Sequence, residues 1–61
     1  MLKLRWRYPT EQWYEYETHD SAQVGKLYRL KALEPNIVQI ELYKDDFLVI
    51  RYTRPDGGEN D

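Results

Sequence analysis

The sequence predicts an α+β fold of ββαββ order: one four-stranded antiparallel sheet with a single helix packed on one face. Three observations carry this. Four segments alternate apolar and polar residues with the period of a strand. They fall into two pairs, each joined by a short turn-forming stretch. Between the pairs lies a segment with the start signal, apolar stripe and stop signal of a helix.

The first strand is Leu2–Tyr8. Leu2, Leu4, Trp6 and Tyr8 fall on one face, and Lys3, Arg5 and Arg7 on the other. Pro9–Gln12 makes the turn, because proline fixes its own φ and has no N–H to offer a ladder. The second strand, Trp13–Thr18, is rich in β-favouring aromatics. Its Tyr14 and Tyr16 share one face, while Trp13, Glu15 and Glu17 share the other. A hairpin of these two strands sets the basic row beside Glu15 and Glu17, and each opposite-charge pair contributes about 0.2–1 kcal/mol.

The helix opens at Asp20-Ser21-Ala22-Gln23, which has the form of a capping box. Val24, Leu27, Tyr28 and Lys31 then follow at helical spacing, with Leu30 and Ala32 widening the stripe. Pro35 disfavours helical geometry at Glu34 and ends the helix near Leu33. Gly25 costs about 1 kcal/mol relative to Ala inside a helix. The alternative is extended backbone here, with Tyr28, Leu30 and Ala32 alternating against Arg29 and Lys31. Residues 21–33 would then add a fifth strand, and the fold would be a small all-β barrel of SH3 or OB type. Start signal, stop signal and length together favour the helix.

The second hairpin runs Ile37–Tyr43 and Phe47–Arg54, joined by Lys44-Asp45-Asp46. A three-residue loop pairs Tyr43 with Phe47, Leu42 with Leu48, Ile40 with Ile50 and Val38 with Tyr52, which keeps the apolar faces together. A two-residue loop sets Leu42 opposite Val49 and mixes the faces. Residues 1–54 form one small domain, and residues 55–61 read as an acidic, mobile tail.

Size and composition narrow the function. At 61 residues the chain is marginal as an isolated fold. It has no cysteine, so a disulfide framework and Cys-type zinc sites are ruled out. Nothing resembles a membrane span or a secretory leader, and the expected location is cytoplasmic. The net charge of −2 is uneven: residues 1–33 carry six Lys/Arg and four Asp/Glu, residues 34–61 three and seven. General attraction to nucleic acid is therefore weak.

Catalytic chemistry is not legible. His19 is the only histidine. Glu15, Glu17 and His19 stand at i, i+2, i+4, but the strand period breaks before His19, and charge pairing explains the glutamates better than a metal does. Asp45-Asp46 reads as a turn, and Gly57-Gly58 lacks the strand–helix context of a phosphate loop. The sequence implies no cofactor, metal, small-molecule substrate or enzymatic activity.

The sheet face away from the helix is the informative surface. Besides charged residues it is expected to hold Trp13, Ile37, Tyr43, Phe47 and Val49, with Arg51 beside them. Apolar clusters rimmed by charge mark interaction sites, and Trp, Tyr and Arg dominate interface energetics. The expected function is therefore a non-catalytic protein–protein interaction module. It would self-associate as a homodimer or dock on, and inhibit, a larger protein through those six residues. The alternative is single-stranded nucleic-acid binding, with Lys3, Arg5 and Arg7 on phosphates and the aromatics as stacking platforms. Glu15, Glu17 and Glu41 on the same face weigh against it. Small cysteine-free chains of this kind are common among phage and mobile-element accessory proteins, many of which occlude a larger target.

Overall fold

A computed structural model describes residues 1–54, and the tail expected at 55–61 lies outside them. The element order is β1 (Leu2–Arg7), β2 (Trp13–Thr18), α1 (Ser21–Ala32), β3 (Gln39–Lys44) and β4 (Phe47–Thr53). All four strands form one antiparallel sheet in the order β2-β1-β3-β4. The ββαββ expectation holds, and residues 21–32 are helical rather than a fifth strand.

The first hairpin has the register that its charges dictate. Lys3 pairs Glu17, Arg5 pairs Glu15, Leu4 pairs Tyr16 and Trp6 pairs Tyr14. On the other side β1 pairs β3, with Leu4 opposite Leu42 and Trp6 opposite Ile40. The apolar positions of three strands thus share one face, and α1 lies across them.

Asp20 caps α1 as expected, its side chain accepting from the amides of Ala22 at 3.0 Å and Gln23 at 3.2 Å. The reciprocal half of the capping box is taken over by Thr18. Its hydroxyl accepts from the Asp20 amide at 3.1 Å and lies 3.5 Å from Gln23 Oε1. The helix ends at Leu33, whose amide bonds back to Leu30 O at 3.3 Å, one residue before Glu34-Pro35.

The core is small: Leu4, Ile37 and Ile40 are fully enclosed, and Val24 nearly so. Each such side chain contributes about 1.5–3 kcal/mol over its exposed state. Trp6, Tyr8, Leu27, Tyr28, Leu42 and Tyr52 pack round them, half-buried. Trp6 and Tyr14 stack with ring centroids 6.2 Å apart, and Lys31 Nζ sits 4.7 Å above the Trp6 ring. Leu30, expected in the apolar stripe that packs on the sheet, is instead 53% exposed.

Two expectations about the second hairpin need correction. The connection is a two-residue turn, Asp45-Asp46, with φ of 51° and 72°. Positive φ at both central residues matches the twist of a hairpin, as in a type I′ turn. The faces nevertheless stay sorted, because the ladder slips by one residue. Lys44 pairs Phe47 and Tyr43 pairs Leu48, but Leu42 pairs Ile50 and Ile40 pairs Tyr52. Val49 is the extra residue of a β-bulge. The bulge absorbs the mismatch that a two-residue loop creates. It also moves Leu48 from the expected core face to the side of Tyr43, where it is 43% exposed. The second correction concerns Ile37. It precedes β3, so strand alternation does not apply to it, and it inserts between Leu4 and Ile40 with 1% exposure.

Candidate functional site

The backbone of α1 runs close to β1, β2 and β3 but not to β4, from which only Tyr52 reaches the core. This follows from dimensions: a helix about 10–12 Å across, on strands about 4.8 Å apart, covers roughly two of them well. Among the described residues β4 is a sheet edge, with no strand beyond it and no helix backbone over it. Its first four residues are apolar and exposed, Phe47 at 77%, Leu48 at 43%, Val49 at 54% and Ile50 at 43%. Uncovered apolar edge strands are templates for pairing with another chain.

The helix-free face is differently built. One row crosses all four strands as Glu15, Arg5, Glu41 and Arg51, alternating in charge. Glu41 is the buried acid at its centre, and its carboxylate accepts from Arg51 Nε at 3.1 Å and from the Tyr43 hydroxyl at 2.9 Å. Arg5 Nη1 lies 3.5 Å from the same carboxylate. Arg5 Nε lies 3.2 Å from Glu15 Oε2, an ionic contact without hydrogen-bond alignment.

These contacts decide where the expected site residues stand. Trp13 is half-buried under the two guanidinium groups of Arg5 and Arg7, at 4.4 and 5.6 Å from its ring centroid. Tyr43 is occupied by Glu41 below and by Lys3 Nζ, 5.7 Å from its ring. Ile37 is in the core and offers no surface, which removes it from any interface. Phe47 is exposed, but its pairing with Lys44 puts it on the helix side by register, not beside Tyr43. Val49 and Arg51 are exposed on the edge strand. The six residues therefore do not form one patch. The contiguous apolar surface on β4 is Phe47–Ile50, with Arg51 next to it, while Met1, Tyr14, Leu30 and Leu33 are exposed elsewhere.

The basic row is likewise engaged. Lys3 faces Glu17 and Tyr43, and Arg5 is held between Glu15 and Glu41. Arg7 donates to Gln39 Oε1 at 3.3 Å and to Thr10 O at 3.2 Å. Sequence reasoning missed Leu48 and Ile50 as surface residues. The signal available was the width of one helix against four strands.

Other polar clusters are structural in character. Tyr8 donates to Glu34, and Lys31 Nζ lies 3.2 Å from Glu34 Oε2 and 3.4 Å from the Tyr8 hydroxyl, which ties β1 to the end of α1. The hydrogen bond from Tyr8 holds the Glu34 carboxyl below its usual range, and the bond to Glu34 raises the Tyr8 phenol. A cleft of about 310 Å³ is lined by Pro9, Pro35, Asn36, Ile37, Val38 and Arg54. Its charged group, Arg54, donates to Ile37 O at 2.8 Å and Glu34 O at 2.7 Å, and so fastens the helix–strand connection. Among the described residues no His, Asp and Glu side chains gather as a metal site, and no helix is long and apolar enough to cross a membrane. No family model matches the chain, and no curated protein or solved structure matches it significantly.

Proposed function

We propose that this chain is a non-catalytic protein-interaction module that binds through the free edge of β4, Phe47–Arg51. One observation carries the reading: four consecutive apolar residues stand exposed on a strand that, among the described residues, pairs on one side only. In a chain with so small a core, uncovered apolar surface of this extent lowers solubility unless another chain covers it. Binding by strand addition draws affinity from main-chain hydrogen bonds and specificity from alternate side chains. Arg51 adds a directional group at the end of the apolar run. The helix-free face contributes rigidity, since its charges neutralise one another across the strands.

Single-stranded nucleic-acid binding is the weaker reading. Lys3, Arg5 and Arg7 would have to leave Glu17, Glu15, Glu41 and Gln39 to reach phosphates, and Trp13 would have to shed two guanidinium groups to stack a base. An interaction of that kind would weaken steeply with salt.

The test is affinity capture from the source cell with the wild-type chain and with Val49→Lys. Val49 lies outside the core, so the variant is expected to fold. Proteins retained by the wild type should be lost with Val49→Lys and kept with Arg7→Ala. Retention of the same proteins by both variants would move the binding surface away from β4.

A further inference from the structure

We infer that the occupant of the β4 edge is a second copy of this chain, paired antiparallel about a two-fold axis with Leu48 of each copy opposite Arg51 of the other. This rests on the reading of β4 as the binding edge and specifies what binds there.

The argument starts from which backbone groups point outward. On one side of β3 the Asp45 amide donates to Met1 O at 3.0 Å, and on the other Val38 O accepts from the Arg54 amide at 2.9 Å, so the odd-numbered residues of β3 bond β1 and the even-numbered carbonyls face β4. Antiparallel ladders alternate bonded and non-bonded pairs. Ile40–Tyr52 and Leu42–Ile50 are then bonded, whereas Gln39–Thr53 and Glu41–Arg51 are not. The peptide groups of Thr53 and Arg51 therefore face away from β3. At the other end the two-residue turn makes Lys44–Phe47 a bonded pair and Tyr43–Leu48 a non-bonded one. Leu48 faces outward as well.

Outward groups on a regular edge recur every two residues. Here Leu48 and Arg51 are three apart, because Val49 is inserted between them. A regular extended peptide in step with Arg51 is out of step at Leu48. A second copy carries the same insertion, so three residues meet three. Leu48 then bonds Arg51 of the other copy, and Arg51 bonds its Leu48, each pair exchanging both N–H···O bonds.

The side chains fit this register. Leu48 and Arg51 lie on the helix-free side with Tyr43 and Glu41, so paired residues share a face. On the helix side Phe47 comes opposite Tyr52 of the other copy, and Ile50 comes level with the inserted Val49 of that copy. The acidic turn Asp45-Asp46 comes opposite Thr53-Arg54, giving complementary charge at both ends. Other registers fit less well. Arg51 opposite Arg51 sets like charges face to face. Arg51 opposite Thr53 leaves Phe47 and Leu48 with no partner among the described residues of the other copy.

The test uses the full chain. Sedimentation velocity over a wide concentration range should show a reversible dimer, weakened by more than about tenfold in Val49→Lys. The chain has no native cysteine, so register can be read by disulfide trapping. Mixing Leu48→Cys chains with Arg51→Cys chains under mild oxidant should give the mixed dimer, while neither variant alone should cross-link. Self-linking of Leu48→Cys alone would overturn the register. A wild type that stays monomeric at every concentration would overturn the second copy as occupant. If that monomer still retained a cellular protein sensitive to Val49→Lys, the interaction module would stand and only its self-pairing would fall. Should Val49→Lys fail to fold, the cysteine pair, which leaves Val49 in place, still decides.

Discussion

Arg51 on the edge strand reaches inward to Glu41, its Nε 3.1 Å from Glu41 Oε2, and so connects the exposed edge to the one buried acid of the sheet. The two residues are not equivalent. The Arg51 side chain is 52% exposed, while that of Glu41 is 7% exposed and also receives Arg5 and Tyr43. Glu41→Ala removes the acceptor for all three and leaves the Arg5 guanidinium without its central partner. That change should cost about 3 kcal/mol, since breaking a largely buried ion pair strands the remaining charge. Arg51→Ala should cost less than about 1 kcal/mol, because its charge is half solvated and Arg5 and Tyr43 still hold the carboxylate. Urea unfolding at neutral pH measures both. Equal losses would mean that the carboxylate depends on the edge strand.

Stability should fall at both ends of the pH range, through the link between β1 and α1. Glu34 is held low by the Tyr8 hydrogen bond and then by Lys31. Its contribution is present above the ordinary carboxylate range of about 4.3 and is lost as pH falls through the depressed folded value. Tyr8 is raised by its bond to Glu34 and by burial. Lys31 is raised because its bonds to Glu34 and Tyr8 outweigh the burial that opposes its charge. Groups raised in the folded state lose their contribution as pH climbs from the unfolded value, about 10, through the folded one. Tyr8→Phe removes the phenol and the largest influence on Glu34. Its unfolding midpoints should therefore vary less with pH at both limits than those of the wild type. An unchanged acid limb would show that Glu34 is held low by Lys31 alone.

Gly25 interrupts the middle of α1. A methyl group built at its position meets only the tip of Arg29, Nη1 at 4.0 Å, an ordinary contact with a flexible side chain. Gly25→Ala should therefore stabilise the protein by about 1 kcal/mol, the difference in helix propensity. A thermal or urea transition detects a change of that size. A loss instead would mean that α1 lies closer to the sheet than this geometry allows.

Much of the fold is legible in the sequence because local signals agree with tertiary ones. The Lys3, Arg5 and Arg7 row facing Glu15 and Glu17 fixes the first register, and Asp20 with Pro35 brackets the helix. The second hairpin is less legible for a specific reason. A type I′ turn usually announces itself as Asn-Gly, and here Asp45-Asp46 adopt positive φ without glycine. Counting residues then gives a regular ladder, and nothing in the identity of Val49 marks it as the inserted one. Ile37 misleads differently, since it continues the alternation of β3 in sequence but belongs to the connection before it. Trp13 was readable as an anchor by type. The register that pairs it with Arg7, next to Arg5, is what covers it.

Deleting Val49 tests what the bulge is for. Without it Tyr43 still pairs Leu48, and Leu42 follows directly with Ile50, so every remaining residue keeps its face. The core contacts of Ile40, Leu42 and Tyr52 need not change, and stability should stay within about 1 kcal/mol of the wild type. The edge itself changes. Outward peptide groups at Leu48 and Arg51 would then recur at the regular spacing of two, on a strand with less local twist. Regular, flat, apolar edges pair promiscuously. The deletion variant should therefore fold, by near-UV circular dichroism of its aromatics, yet lose solubility and scatter light at concentrations where the wild type stays clear. A variant that folds and remains as soluble as the wild type would remove the protective role of the bulge. One that loses its near-UV signal would show that the extra twist at Val49 is required to seat Ile50 and Tyr52 against β3.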